Sequence, residues 1–155
     1  MNFNLSEEHV MIQQAARDFA QTELLPEVIE RDTHQTFPAA QVKKMGEMGF
    51  LGMMVDPKYG GAGMDSISYV LAMEEIAKVD ASAAVVMSVN NSLVCAGLEK
   101  YCNEDQKMKY LVPLASGEVI GAFALSEPEA GSDATSQKTT AVDMGDHYLL
   151  NGTKN

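Results

Sequence analysis

Apolar residues recur every three or four positions through the first 117 residues, and this spacing predicts amphipathic helices. Short polar residues precede several of the apolar stretches, where they can cap a helix N-terminus. The pattern predicts about six helices in a bundle: two between Ser6 and Thr33 that are separated near Pro26, one from Pro38 to Met48, and three that begin at Asp65 or Ser66, at Asp80 and at Asn103.

Each of these helices has one face that we expect to lie in the core. The faces are assigned from residues that share a side at 3.6 residues per turn. They comprise Met11, Ala15, Ala16, Phe19 and Ala20 in the first helix, Val42, Met45 and Met48 in the third, and Ile67, Val70, Leu71, Glu74 and Ala77 in the fourth.

The fifth helix differs, because nearly every residue from Ala81 to Leu98 is apolar or small. A helix that is hydrophobic on all sides is expected at the centre of a bundle. A membrane span is the alternative, but repeated Ser and Asn residues interrupt the run and disfavour it. The polar side chains of Asn90, Asn91 and Ser92 either bond to neighbouring elements, which we favour, or face a wet cavity.

After Gly117 the pattern changes to short apolar runs that predict strands at 119–125, 139–144 and 148–150, with Gly145-Asp146 as a hairpin turn. Helices followed by strands indicate an α+β protein, with an all-helical domain over residues 1–117 and the beginning of an antiparallel β domain over 118–155. Three strands would leave sheet edges open. We therefore expect the chain to be the front part of a longer protein.

Composition and charge narrow the class of protein. The 155 residues are 46% hydrophobic and 21% charged, which is sufficient for a buried core. A net charge of -11 argues against nucleic acid or an anionic membrane as a partner. Cys95 and Cys102 match no zinc or disulfide pattern, so no metal site is expected. The first residues lack signal-peptide and transit-peptide features, and the expected location is cytoplasmic.

A candidate ligand-binding loop begins at Ser126, where the first predicted strand ends. Pro128 stops the strand because its ring fixes φ and it has no backbone N–H. Gly131, followed by Ser132 and Asp133, gives the loop a permissive backbone position with short polar side chains beside it. Such a loop can bring backbone N–H groups close to a ligand.

A second glycine-rich stretch, Tyr59-Gly60-Gly61-Ala62-Gly63, has two interpretations. It could cradle a phosphate, or it could be a plain turn. No strand with dinucleotide-binding spacing precedes it and no Gly-Lys-Ser follows it, so we favour the turn.

The loop sequence Leu125-Ser126-Glu127-Pro128-Glu129-Ala130-Gly131-Ser132-Asp133 resembles a signature of the acyl-CoA dehydrogenase family. Other stretches resemble that family in the same order, so the likeness spans the chain and is strongest to short-chain, butyryl-CoA-like members. These stretches are Pro57 to Gly63, Glu74 to Ala77, Asp105 to Lys107, Tyr110 to Gly117 and Leu150 to Lys154.

The resemblance implies an N-terminal helical domain, a middle β domain from near Gly117, and a C-terminal helical bundle that this chain lacks. It also implies an FAD cofactor. The residues implied to contact or lie near FAD are Phe123, Leu125, Ser126, Gly131 and Ser132, and those implied to bind the acyl-CoA substrate are Ser132, Met87, Val89, Asn90 and Leu93.

The implied reaction removes the α proton of a fatty acyl-CoA with a carboxylate while a hydride leaves the β carbon for the flavin, giving a trans-2-enoyl-CoA. The catalytic glutamate of the family belongs to the C-terminal bundle, so none of Glu74, Glu75, Glu127 and Glu129 is assigned to it. The implied partners are an electron-transfer flavoprotein as acceptor and further copies of the chain in a tetramer.

Two alternatives to the dehydrogenase function stay open. One is a non-catalytic relative kept for binding or assembly, and the other is an acyl-CoA oxidase that passes electrons to oxygen. Glu129 adds a negative charge beside a loop that is expected near an anionic cofactor. Because Glu129 departs from the family pattern, the resemblance does not fix which acyl-CoA is the substrate.

Overall fold

The protein is described by a computed structural model over residues 4–155, which form two compact units, one that runs to Ala122 and one formed by Phe123–Asn155. The predicted set of six helices is confirmed in the described residues of the first unit. They are α1 (Glu7–Phe19, prolonged by the π-helical Ala20–Leu24), α2 (Val28–Thr33), α3 (Ala39–Glu47), α4 (Ser66–Ala77), α5 (α-helical Ala81–Ser88, π-helical Val89–Cys95 and α-helical Ala96–Tyr101) and α6 (Glu104–Gln106, π-helical Lys107–Leu111 and Val112–Ala115).

The predicted helix caps are also confirmed. The side chains of Ser6, Asp65, Asp80 and Asn103 each accept a hydrogen bond from the backbone N–H three residues ahead. Asn103 forms a reciprocal capping box with Gln106. Four helix starts therefore follow from local chemistry alone, because each cap satisfies an N–H group that the helix leaves free.

The core of the helical unit lies between α1, α3, α4, α5 and the connector that follows α3. Phe19 of α1 meets Phe50 of that connector edge to face, with ring centroids 5.6 Å apart. The predicted faces of α1 and α3 are partly wrong, because Met11 is 70% exposed and Met48 is also exposed. The buried apolar residues of this core are Ala16, Phe19, Ala20, Leu24, Val42, Met45, Phe50, Leu51, Met53, Ala72, Ile76, Ala83, Ala84 and Met87.

The predicted inner face of α4 is wrong. Val70 is 58% exposed and Ile67 is exposed too, whereas Ser68, Ala72 and Glu75 are buried. The sequence of α4 is apolar on several sides, so its spacing did not select one face. The small side chains of Ser68 and Ala72 lie on the buried side of α4, where they let α1 pack closely. The larger apolar residues Ile67 and Val70 therefore lie on the exposed side.

Glu75 connects α4 to α1 through an ion pair whose carboxylate is almost fully buried. Arg17 donates two hydrogen bonds of 3.0 Å to it, Gln13 donates one of 3.2 Å, and Lys78 lies 3.0 Å away. The hydrogen bonds from Arg17, opposed by burial and aided by Lys78, lower the pKa of Glu75 to about 2. The carboxylate is thus ionised at neutral pH and fixes the packing of α1 on α4.

Helix α5 buries one face, which corrects the expectation of a helix enclosed on all sides. Met87 and Cys95 are buried, but Val85 is exposed and Leu93 is 46% exposed. Within the described chain, Ala81–Tyr101 is the one helix long and apolar enough to cross a membrane, a test that core helices of soluble proteins also meet. The bundle covers only one side of this helix, so its remaining apolar residues lie at the surface.

The glycine-rich stretch 59–63 is a turn that is held by backbone hydrogen bonds. The N–H groups of Ala62 and Gly63 donate to the carbonyls of Gly52 and Val55, each at 2.9 Å. Gly61 lies so close to Val55 that a Cβ atom there would be 2.1 Å from its carbonyl oxygen. These contacts support the plain turn, since the bonded amides have no N–H left for a phosphate.

The second unit contains one antiparallel pair, β1 (Thr140–Asp143) with β2 (Tyr148–Asn151), joined through Gly145-Asp146 as predicted. Gly145 has a φ of +98°, which favours glycine in this turn. The predicted strand 119–125 is wrong. The run lacks a strand ladder among the described residues, since Val119 N–H donates to Pro113 and Gly121 N–H to a side chain.

We predict that Glu75→Gln lowers the free energy of unfolding by about 1–3 kcal/mol at pH 7, because the buried amide cannot satisfy Arg17 and Lys78 as the carboxylate does. Glu75 has a pKa below its ordinary 4.5 in the folded state, so its stabilisation is full above that value and is lost as the pH falls towards 2. Urea titrations between pH 7 and pH 3 measure this.

The matched control is Glu74→Gln, because Glu74 is an exposed neighbour that also pairs with Lys78. We expect it to change stability by less than about 0.5 kcal/mol. Equal pH dependence in wild type and Glu75→Gln would contradict the assignment of acid sensitivity to this buried pair.

Candidate functional site

The candidate loop is built around a tight turn at residues 127–130. Glu127 and Ala130 exchange two backbone hydrogen bonds, each of 3.0 Å. Pro128 occupies the second position of this turn, where its fixed φ is favourable. The turn follows residues 123–126 and reverses the chain direction.

The carboxylate of Glu127 is buried beneath this turn and binds three donors. Lys138 N–H lies 2.6 Å from it, Thr139 N–H lies 3.2 and 3.3 Å from its two oxygens, and Lys154 Nζ lies 2.9 Å away. Thr139 first, then the Lys138 N–H and Lys154, lower the pKa of Glu127 to about 2. Glu127 is therefore a fixed anion that organises the loop.

The carbonyl groups just before the turn are anchored as well. Leu125 C=O accepts hydrogen bonds from Gln137 Nε2 at 2.6 Å and from Lys154 Nζ at 3.0 Å, and Ser126 C=O accepts one of 2.9 Å from Asn155 N–H. In the described residues, the N–H groups of Leu125 and Ser126 and the Ser126 hydroxyl have no hydrogen-bond partner. The Leu125–Ser126 edge therefore has three donor groups that are unpartnered within the described chain, while both of its carbonyls already accept hydrogen bonds.

The end of the loop is held by Asp133, which caps the short 3₁₀ turn Ala134–Ser136. Its carboxylate accepts hydrogen bonds from the hydroxyls of Ser136 and Thr135 and from Thr135 N–H, and these bonds lower the pKa of Asp133. Gly131 and Ser132 are exposed, and among residues 4–155 their N–H groups find no partner. Two further donors are therefore available beside the loop.

Asn90 lies in the π-helical part of α5, where its side-chain amide is fully used by the backbone. Its Nδ2 donates to the carbonyls of Leu51 at 2.8 Å and Leu114 at 3.0 Å, and its Oδ1 accepts the Gly121 N–H at 2.9 Å. Asn90 has no exposed surface. The favoured interpretation of a bonded core amide is confirmed, and the amide fixes the chain where it leaves α6.

The side-chain amide of Asn91 binds the backbone of the connector after α3. Its Oδ1 accepts the Met53 N–H at 2.8 Å, and its Nδ2 donates to the carbonyls of Phe50 at 2.8 Å and Met87 at 2.9 Å. Ser92, in contrast, is exposed and donates to Ser88 C=O on its own helix. The two neighbouring amides therefore tie α5 to segments that have no regular ladder of their own.

The predicted site residues fall into two groups, one in each unit. Phe123, Leu125, Ser126, Gly131 and Ser132 lie on one continuous stretch of the second unit and are all exposed.

The residues of α5 differ from one another. Met87 and Asn90 are completely buried in the helical core, so neither presents surface to an acyl group. Val89 is half-buried and Leu93 is exposed. Of these four predicted residues, Val89 and Leu93 have surface that a ligand could contact.

Sequence reasoning missed the roles of Glu127, Gln137 and Lys154 in holding the loop. Lys154 stands 29 residues from Leu125, and no periodic pattern reports a contact at that separation. The one feature of the sequence that pointed to Lys154 was its place in a stretch that resembles the family.

One cavity lies in the helical unit, and a smaller one lies at the loop and is lined by residues that include Glu127 and Lys138. The first, of about 620 Å³, lies between α2, the chain that follows it and residues 79–82, and none of the predicted site residues lines it. No group of three His, Cys, Asp or Glu side chains within residues 4–155 is arranged for a metal ion. Burial raises the pKa of the Cys95 thiol to about 12, so the free thiol is protonated at neutral pH.

Comparison with known proteins defines the family. A sequence model of the family described as acyl-CoA dehydrogenase, N-terminal domain, matches residues 6–118. The chain therefore belongs to the acyl-CoA dehydrogenase family and contains its N-terminal domain.

Among its relatives, the chain is similar to short-chain members. It is 46% identical over 154 residues to the short-chain specific acyl-CoA dehydrogenase of Clostridium acetobutylicum, covering 99% of this chain and 41% of that protein. It is 51% identical over 150 residues to the human mitochondrial short-chain specific enzyme, covering 97% of this chain and 36% of that protein. The chain thus spans about two fifths of the length of these relatives.

Solved structures agree with this assignment. Butyryl-CoA dehydrogenase from Megasphaera elsdenii matches with a TM-score of 0.92 and 40% identity, over 99% of this chain and 41% of that one. An acyl-CoA dehydrogenase from Bacillus anthracis in complex with FAD matches with a TM-score of 0.89 and 37% identity, over 97% of this chain and 26% of that one.

We predict that Asn90→Ala lowers the free energy of unfolding by at least about 2 kcal/mol, because it leaves the Leu51 carbonyl and the Gly121 N–H without a partner and removes one of the two donors to the Leu114 carbonyl. Leu93→Ala, at an exposed position of the same helix, is expected to cost less than about 1 kcal/mol. Urea unfolding followed by circular dichroism measures both. Equal losses would contradict the structural role of Asn90.

Proposed function

We propose that the chain is the N-terminal part of an FAD-dependent acyl-CoA dehydrogenase that oxidises a short-chain acyl-CoA to the trans-2-enoyl-CoA. The observation that carries the proposal is the Leu125–Ser126 edge, whose carbonyls are anchored while its N–H groups and hydroxyl are unpartnered. Family membership, similarity to short-chain enzymes and the solved FAD complex of a relative support it.

This edge fits a flavin chemically. Phe123 and Leu125 present exposed apolar side chains, and Leu125 N–H, Ser126 N–H and the Ser126 hydroxyl are donors with no partner in the described chain. A flavin needs an apolar wall for its ring and a few donors at its polar edge, where negative charge develops on reduction. When bound, FAD supplies a hydride acceptor.

Gly131 and Ser132 would hold the anionic parts of the ligands. Their exposed N–H groups suit an anionic or carbonyl oxygen of the cofactor or of the CoA thioester arm. Glu129 beside them pairs with Lys138, which compensates the charge that stood out in the sequence. The pairing removes one objection to an anion at this loop.

The base that removes the α proton lies outside these 155 residues in our proposal. Glu75 and Glu127 are buried, ion-paired and have pKa values lowered to about 2, which suits them poorly for accepting a proton. Glu74 and Glu129 are exposed and paired with lysines. We therefore expect residues 1–155 alone to be inactive.

Two parts of the proposal concern the intact protein, its electron acceptor and its oligomeric state. Electrons would pass to an electron-transfer flavoprotein, and the intact protein would be a homotetramer. Reoxidation by oxygen instead would make it an acyl-CoA oxidase, and absence of flavin would make it a binding or assembly module. The kinetics of reoxidation by each acceptor separate these possibilities.

The deciding experiment is an absorbance spectrum from about 300 to 600 nm, the range of flavin bands. It is recorded after FAD is added and free ligand removed, on this chain and on a protein extended to the length of its relatives. We expect only the extended protein to retain flavin and to bleach with butyryl-CoA. An extended protein that stays colourless would overturn the proposal and favour the binding module.

We predict that Val89→Phe in the extended protein shifts preference towards shorter acyl chains, because Val89 is half-buried on α5 and a larger ring would fill space beside it. The ratio of kcat/KM for butyryl-CoA to that for octanoyl-CoA should rise about tenfold or more. Val70→Phe, at an exposed position of α4, is the control. An unchanged ratio in Val89→Phe would remove Val89 from the acyl pocket.

A further inference from the structure

We propose that Lys154 and Glu127 form a positioning pair that strengthens the Ser126 N–H as a donor to the flavin. This inference rests on the proposed function and assigns a role to two residues that do not face the ligand themselves. Neither residue is proposed to transfer a proton or to touch the reacting atoms.

The first step is the position of the Lys154 ammonium. It bridges Leu125 C=O at 3.0 Å and Glu127 Oε1 at 2.9 Å, and its side chain is only 30% exposed. Glu127 is itself fixed by the N–H groups of Lys138 and Thr139. The ammonium is therefore held at the carbonyl by an anion that cannot move away.

The second step is the peptide group that Lys154 contacts. Leu125 C=O and Ser126 N–H belong to one peptide unit. Lys154 and Gln137 both donate to its carbonyl oxygen, and hydrogen bonds to a carbonyl polarise the whole unit and make its N–H a stronger donor. The Lys154 bond is charge-assisted, so it contributes more than the Gln137 bond.

The third step is that the carbonyls of this edge are bonded while its N–H groups are left for a ligand. Donors to Leu125 C=O and Ser126 C=O come from Gln137, Lys154 and Asn155, while the N–H groups of Leu125 and Ser126 have no partner among the described residues. The pair thus holds the edge before a ligand arrives, and a donor that is already oriented needs no reorganisation when charge develops on its acceptor.

The test uses the holoprotein at the length of its relatives and two readouts that do not depend on turnover: the FAD dissociation constant and the flavin reduction potential from equilibrium dye titration. In Lys154→Met we expect FAD to bind about tenfold more weakly or worse and the potential to become more negative. Lys154→Arg keeps the charge and is expected to restore most of both.

Lys43→Met is the matched control, because it removes one positive charge from an exposed lysine of α3 that is not among the residues that hold the loop. Its FAD affinity and potential should equal those of wild type. Gln137→Leu removes the neutral bond to the same carbonyl and should shift the potential in the same direction by less, which provides a second test if Lys154→Met does not fold.

Wild-type values in Lys154→Met, or in Gln137→Leu where Lys154→Met does not fold, overturn the positioning role alone. A shift in Lys43→Met as large as that in Lys154→Met overturns it too, since the effect would then come from the general loss of positive charge. A wild-type protein that binds no FAD overturns the proposed function first and the positioning role with it.

Discussion

The helical unit depends on two adjacent side-chain amides, those of Asn90 and Asn91. Between them they satisfy six backbone groups, in the connector after α3, at the end of α6, at Gly121 and within α5 itself. Irregular backbone can be buried only where such partners exist, because an unpaired polar group in the core costs about as much as a lost hydrogen bond. The amides therefore permit the apolar connector to lie in the core.

In the second unit, too, a buried side chain bonds to irregular backbone, but this side chain is a carboxylate and not an amide. Two short strands cannot enclose a core, and both strands are exposed along their length. The buried carboxylate of Glu127 holds this unit together instead, because it accepts hydrogen bonds from two backbone N–H groups and pairs with the Lys154 ammonium. A loop that must present free donors on one side is thus anchored from the other.

The sequence was most informative where structure is decided locally. Ser6, Asp65, Asp80 and Asn103 could be identified as caps because a cap needs only its own next turn. The inner face of α4 could not, since it is set by a buried carboxylate that pairs with Arg17 of another helix. The strand 119–125 was misjudged because a strand also needs a partner. The resemblance located the loop, but not the contacts of Lys154 that hold it.

The π-helical segment Val89–Cys95 has a consequence for insertions and deletions in this helix. A π-helical turn accommodates more residues than an α-helical one, and here it brings two consecutive asparagines to the same buried side. Because this segment already absorbs an extra residue, deleting one residue from it would restore a regular α-helix and leave the residues after it in phase, whereas a deletion in the α-helical Ala81–Ser88 would rotate everything after it by about 100°. Consecutive residues of a regular α-helix lie about 100° apart, so Asn90 and Asn91 could then no longer share the buried side, and the extra residue of this segment is what keeps both amides in the core.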